Sequence, residues 1–340
     1  MCFNILNIKK MKFNKINHIV VFGGSQLTLE FLKLLKKKKI NYHYFTNKRQ
    51  LLDNLSNNLN LRDNLKKNNI KFYETYDINK NKLLKKVFTK NSLGIGFGQP
   101  WKFKQKLLKL MNPNLVDFMG IPMPKYRGGA HYTWMILKQN FDGGCFIQNI
   151  NENTLQGTLD SGYYYDQTNY KYPKKLKYPK DYFKYSIKKE INFLNRFLKK
   201  VTKNTSFRLK KIDERKSSFY PRLLNYKNGF INWSWTANEV VNFINGFGDP
   251  YFGGICYINE EKFYIKEAKL IYKNNFHSFF SGTVIKKYNK SLYIQANKGV
   301  IEVNKIYNNN NTNIISKFRV GDKFYNIQNN LDNSKQHLRF

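Results

Sequence analysis

Along the first 150 residues, short apolar runs alternate with stretches that repeat apolar positions every three or four residues. Ile16–Phe22 (INHIVVF) is β-branched and apolar enough for a buried strand, and Gly23-Gly24-Ser25 turns it into a helix over Gln26–Lys38. Asn41–Phe45, Ile70–Tyr73, Leu93–Phe97 and Asn114–Phe118 read as further strands. Leu51–Lys67, Leu83–Phe88, Phe103–Met111 and Tyr132–Leu137 read as the helices between them. Strands alternating with helices predict an α/β fold with a doubly wound parallel sheet and right-handed crossovers. Gly143–Ile150 adds a strand. Phe183, Ile187, Ile191, Leu194 and Leu198 then mark one face of a long helix over Tyr182–Val201.

Polar, basic Thr202–Asn228 suits a linker, and past it the pattern changes. After one helix over Asn238–Phe247 come short β-rich runs at Gly254–Ile258, Phe263–Ile271, Gly282–Lys287, Leu292–Ala296, Val300–Ile306 and Lys317–Val320. Strands of that length and spacing predict a small barrel or sandwich. Asn308–Asn313 reads as a polar tip, and the tail past Asn329 as frayed. The expected division is an α/β domain over 11–203, a linker over 204–228 and a β domain over 229–328.

Composition narrows this picture only modestly. The 340 residues are 41% apolar and 16% aromatic, enough for two cores and too many for a disordered chain. No apolar run approaches the roughly 20 residues needed to span a bilayer. The N-terminal stretch has no small-residue cleavage site behind a long apolar core, so a cytoplasmic protein is expected, with Met11 as an alternative start. Cys2, Cys145 and Cys256 lie far apart, without metal-ligand spacing or an even disulfide set, which fits a reducing compartment. The net charge of +38 invites a nucleic-acid reading. Its lysines are spread through the chain among Asn and Tyr, as in an AT-rich coding bias, and that explanation is weighted above a dedicated RNA surface.

The chemistry concentrates in Asp117–Trp134, DFMGIPMPKYRGGAHYTW, a Pro- and Gly-punctuated loop that follows a strand and enters a helix. Ligands of α/β sheets bind at such strand ends. The loop resembles the active-site loop of the folate-dependent formyltransferases, the methionyl-tRNA and amino-sugar enzymes, whose pattern is Asn-x-His-x-x-x-Leu-Pro-x-x-Arg-Gly. Met123-Pro124-Lys125-Tyr126-Arg127-Gly128 matches its second half, whereas Asp117 stands at the family's Asn and Met119 at its His. Leu159-Asp160-Ser161-Gly162 matches the family's Leu-Asp-x-Gly segment. Asn228–Trp233, Asp249–Gly254 and Phe280–Val284 resemble segments of its carboxyl-terminal domain. The resemblance implies a Rossmann-like amino-terminal formyltransferase domain and an OB-like carboxyl-terminal β-barrel.

It also implies 10-formyltetrahydrofolate as formyl donor and an amine as acceptor. An amino sugar on a nucleotide is expected ahead of initiator methionyl-tRNA, because the motif has lost both of its catalytic residue types. Asp117, His131 and Asp160 are the expected catalytic residues. If both carboxyls meet in one cleft, repulsion should raise one pKa, so that a protonated acid could donate to the oxyanion. His131 either supplies the missing imidazole or packs locally at its helix start. Gly98, Gln99 and Trp101, with Gln156 and Gly157, are expected at the folate pocket, although Trp101 also suits core packing. Arg127, Gly128 and Gly129 are expected to meet the substrate, Arg127 serving equally well as a loop-anchoring ion pair. Two rival readings stay open: a family member that binds folate, nucleotide or RNA without transfer, and a transferase of a different one-carbon or carbamoyl-like group.

Overall fold

The computed structural model describes residues 10–55, 57–150, 162–272 and 276–336. They form two compact units, the first made of the described residues within 10–125, 143–170 and 186–217, the second of those within 126–142, 171–185 and 218–336. Among the described residues, no helix is long and apolar enough to cross a membrane.

The first unit is built on an eight-stranded sheet. Strands β1 (His18–Gly23), β2 (Asn41–Thr46), β3 (Tyr73–Glu74), β4 (Ser92–Phe97) and β5 (Leu115–Met119) run parallel in the spatial order β3-β2-β1-β4-β5. The order reverses between β1 and β4, the switch point at whose carboxyl edge doubly wound sheets bind ligands. The sheet continues with β6 (Asp142–Asn149), antiparallel to β5, then β7 (Tyr163–Lys171) and β8 (Lys210–Lys211). Helix α1 (Gln26–Lys37) starts where Ser25 Oγ accepts the Thr28 amide at 3.2 Å. It buries Leu29, Phe31, Leu32 and Leu35 on one face of the sheet. Phe193, Leu194, Phe197 and Leu198 of a long helix (Pro179–Thr202) join the same core, with Val116 and Phe118 of β5.

The period-two alternation of a strand sends Leu115 to the opposite face. There it packs with Leu84 of the helix Lys82–Val87 and with Leu107, Leu108 and Met111 of the helix Gln105–Met111. Asp117 and Met119 share that second face by the same alternation.

Several local expectations change. The helix expected over Leu51–Lys67 breaks into Lys48–Leu52 and Leu61–Lys67. Its asparagines hydrogen-bond the backbone instead of continuing the helix: Asn64 Nδ2 donates to the carbonyls of Leu59 and Asn60, and Asn54 bridges Asn60. The strand at Ile70–Tyr73 shrinks to Tyr73–Glu74. Strand β7 was not anticipated, because its YYYDQTNYK sequence lacks an apolar alternation. The stretch 204–228 carries β8, buried Ile212 and the short strand Phe219–Tyr220.

In the second unit, a capping box opens the helix Ala237–Gly246: Thr236 Oγ1 accepts the Glu239 amide, and Glu239 Oε2 accepts the Thr236 amide at 2.9 Å. Its Val240, Phe243 and Ile244 pack on an antiparallel sheet of five strands. These are β9 (Gly254–Ile258), β10 (Glu261–Tyr272), β11 (Val284–Tyr288), β12 (Ser291–Ala296) and β13 (Gly299–Tyr307), in the order β9-β10-β13-β12-β11. The strand expected at Lys317–Val320 is instead a 3₁₀ turn at Ile315–Lys317. A few residues later the chain bridges both sheet edges, Lys323 pairing with Thr283 beside β11 and Tyr325 with Tyr257 on β9. That extended piece gives the unit its barrel character.

Candidate functional site

In the first unit, β4, β5 and β6 bring Gly96, Asp117 and Gln148 into register across three neighbouring strands. Gly96 is a glycine for a steric reason. A Cβ there would lie 2.2 Å from Gln99 Oε1 and 3.0 Å from Asp117 Oδ1, so its absence lets Gln99 fold back over β4 beside the carboxylate. Gln148 Nε2 approaches Asp117 Oδ2 and Met119 Sδ, each at 3.5 Å. Burial pushes the Asp117 carboxyl up to about 7, while the Gln148 and Gln99 amides oppose the shift. The anticipated cause was a second carboxylate, but Asp160 lies outside the described residues, as do Gln156 and Gly157.

The buried Gln99 Oε1 has no hydrogen-bond partner among the described residues. Gly98, at φ +59°, faces open space: nothing lies within 4 Å of where its Cβ would stand. The loop is held from below by Gln50 Nε2, which donates to the Gly98 carbonyl at 3.0 Å. Trp101 is half-buried, its Nε1 donating to the Tyr76 carbonyl at 2.9 Å. Met119 packs against the cluster of Ile121, Phe146 and Ile212, an apolar role. Sequence reasoning missed Gln148. The signal was a polar residue in the otherwise apolar run Cys145-Phe146-Ile147, and it is 1% exposed.

In the second unit, Arg127–Gly128 forms a two-residue strand parallel to Phe219–Tyr220. The Arg127 amide donates to the Ser218 carbonyl at 3.0 Å and the Gly129 amide to the Tyr220 carbonyl at 3.1 Å. Gly128 sits at φ +105°, and a Cβ there would fall 2.0 Å from the Tyr220 oxygen. At Gly129 it would fall 3.0 Å from Arg222 Cβ. The close approach expected at these glycines is therefore met by the chain itself.

Ala130, at φ +53°, leads into the helix His131–Leu137 without a side-chain cap. His131 Nε2 is buried with no hydrogen-bond partner among the described residues, and burial lowers its pKa to about 4. The imidazole is thus neutral near pH 7. The described residues unite Gln99 with Asp117 in the first unit, and Arg127, Gly128, Gly129 and His131 along one loop in the second.

Residues 223–318 match the family model described as "Formyl transferase, C-terminal domain". The chain is 25% identical over 203 residues to the bifunctional polymyxin resistance protein ArnA of Wigglesworthia glossinidia brevipalpis, an overlap of 58% of this chain and 28% of that protein. It therefore spans little more than a quarter of that relative's length.

Among solved structures, WlaRD, a sugar 3N-formyl transferase in the presence of dTDP and 5-N-formyl-THF, has a TM-score of 0.62 at 18% identity, covering 86% of this chain and 98% of that one. The N-formyltransferase of Helicobacter canadensis, in complex with folinic acid and dTDP-3-aminofucose, also has a TM-score of 0.62, at 17% identity and covering 86% and 100%. These likenesses show the fold: a Rossmann-like part and a small β part in one chain. The family match itself is to the formyltransferase carboxyl-terminal domain and lies on residues 223–318, and the likeness to ArnA extends over 203 residues.

Proposed function

We propose that the protein transfers a formyl group from 10-formyltetrahydrofolate to the amine of a nucleotide-linked amino sugar. The observation that carries the reading is Asp117: a carboxyl pushed up to about 7 at the carboxyl end of β5, where the family pattern has asparagine. A neutral carboxylic acid has nearly the shape of a primary amide and, like it, offers a donor. Held protonated, Asp117 can donate to the oxygen that gains negative charge as the amine nitrogen bonds to the formyl carbon, where an ionised carboxylate would repel it.

The residues present suit a folate. Gly98 leaves open space, and the orphaned Gln99 Oε1 is an acceptor awaiting an N–H of the kind a pterin ring presents. When bound, 10-formyltetrahydrofolate supplies the formyl carbon and accepts a proton on the nitrogen it leaves. Gln99 would orient its ring, with Trp101 beside it, and Gln148 would hold the Asp117 carboxyl in place. We assign Asp160 the proton given up by the amine, on its match to the family aspartate, and keep Arg127 as the candidate for an anionic group of the acceptor. A cytoplasmic setting belongs to the same reading.

The test measures tetrahydrofolate release from 10-formyltetrahydrofolate with dTDP-linked amino sugars between pH 5.5 and 9. Wild-type activity should fall along an alkaline limb centred near the Asp117 value of about 7, as the donor proton is lost. Asp117→Asn should keep activity and lose that limb, whereas Asp117→Ala should cost about 10²–10³ in rate. Activity that climbs through pH 7 in the parent and vanishes in Asp117→Asn would make the residue a base and sink the donor role. Met119, packed among apolar side chains, favours the second reading, binding without transfer. Folate binding with no tetrahydrofolate release from any amino sugar would establish it.

A further inference from the structure

We propose that an apolar cavity in the second unit is a binding site for a planar aromatic carboxylate of one or two rings. None of the residues that line it has a part in the transfer proposed above.

The cavity measures about 350 Å³, at the lower end of the range for ligand sites and wide enough for an indole-sized ring system. All of its lining belongs to the second unit. Trp134, Phe230, Trp235, Phe243 and Phe247 put five aromatic rings on it. Packing elsewhere fixes these rings in advance. The Trp134 indole N–H donates to the Pro221 carbonyl at 2.8 Å. Trp235 meets Phe243 edge-on at 5.1 Å between ring centroids, and Phe243 meets Phe247 at 4.8 Å. Walls that are already ordered cost a ligand little to engage. A flat ring gains face and edge contacts against such walls beyond the area it buries, whereas an alkyl chain gains only the area and loses more rotamer freedom.

The polar groups on the lining decide which ring. Asn228 is used at both ends: its Oδ1 accepts the Leu224 amide at 2.8 Å, and its Nδ2 donates to the Ser334 carbonyl at 2.7 Å. The Ser334 hydroxyl donates to the Leu331 carbonyl at 2.7 Å. Asn232 Oδ1 accepts from the amide and the hydroxyl of Ser234, at 3.0 and 2.7 Å. The capacity left over is mainly that of donors. Asn232 Nδ2 has no hydrogen-bond partner among the described residues, and the Lys335 ammonium has only an exposed pairing with Asp332, at 2.9 Å. No acidic side chain lines the cavity among the described residues. An anionic acceptor on an apolar ring matches that set. A nucleobase, which carries donors on its edge as well, would leave some of them unpaired.

The helix Gln328–Ser334 supplies the way in. It places Leu331 on the cavity, yet it has no fully buried side chain and starts without a side-chain cap. A wall with so few buried contacts opens at low cost.

The experiment compares indole-3-acetate, indole, octanoate and thymidine monophosphate by calorimetry on the full chain. Indole-3-acetate should bind about tenfold tighter than indole, the worth of one charge-assisted hydrogen bond, and tighter than the other two. Asn232→Asp, which puts an anion where the donor stands, should erase that advantage and leave indole binding in place. Leu331→Trp should fill the cavity and abolish binding of both ring compounds, with an unchanged thermal melt reporting an intact fold. Octanoate or thymidine monophosphate binding at lower concentration than indole-3-acetate would assign the cavity to another class of ligand and overturn the proposal. So would ring binding that survives Leu331→Trp, or no binding of either ring compound. Binding seen only in a chain lacking residues 337–340 would make that segment the occupant, and would equally overturn it.

Discussion

At the scale of single residues, two buried carboxyls set how the first unit responds to pH. Besides Asp117, Glu190 on the helix Pro179–Thr202 is 3% exposed, and its Oε1 has no hydrogen-bond partner among the described residues. A Cβ on Gly120 would lie 2.6 Å from that oxygen, so the glycine after Met119 makes room for it. Burial pushes Glu190 up to about 8, opposed by its hydrogen bond to Ser186. Both acids are neutral when the protein is most stable. The stability each contributes is fully present below its ordinary value near 4 and is lost as pH rises through about 7 for Asp117 and about 8 for Glu190. A thermal-melting series from pH 5.5 to 9 should show the midpoint falling toward alkaline pH. Glu190→Gln should flatten much of that fall, the effect amounting to a few kcal/mol at about 1.4 kcal/mol per pKa unit. A variant whose midpoint still falls as steeply as the parent's would show that Glu190 is already ionised at neutral pH.

At the scale of elements, the short strand Arg127–Gly128 depends on one missing side chain. Gly128→Ala should drive the chain off Phe219–Tyr220, because its Cβ would meet the Tyr220 oxygen at 2.0 Å in a left-handed conformation. A loss of about 2 kcal/mol or more by urea unfolding is expected. Gly98→Ala is the matched control, with a positive φ and open space, and should cost only about 1 kcal/mol. Similar losses for the two would mean that backbone conformation alone, and not the contact with Tyr220, sets the cost at Gly128.

The elements that were legible in the sequence are those whose apolar pattern is strong. β1, β4 and β5 are short stretches carried by Val, Ile, Leu and Phe, and the long helix repeats its apolar face over several turns. β7 was hidden because tyrosines and polar residues alternate without an apolar side. The break in the second expected helix was hidden because asparagine side chains, not glycine or proline, make it. Asp117 was legible as a departure from a motif. Gln99 was placed by its position after a strand, but its fold-back over Gly96 and the approach of Gln148 depend on strand register, which no single strand's sequence specifies.

For the molecule as a whole, the charge of +38 is broadly distributed, as the spread of lysines suggested. In the first unit it nonetheless gathers along two hollows, one carrying Lys48, Arg49 and Lys102 beside Trp101, the other Lys80, Lys85, Lys104 and Lys106. Diffuse composition and a local track coexist because only the fold decides which lysines become neighbours. The extended piece Gly321–Tyr325 has a consequence of another kind. Its hydrogen bonds to Gly282, Val284 and Tyr257 occupy the two outermost ladders of the five-stranded sheet, which would otherwise offer unpaired amides and carbonyls to a neighbouring molecule. A chain ending before Gly321 should therefore self-associate through those bared rims, visible as oligomers in light scattering, and adding back a peptide of residues 321–326 should suppress them.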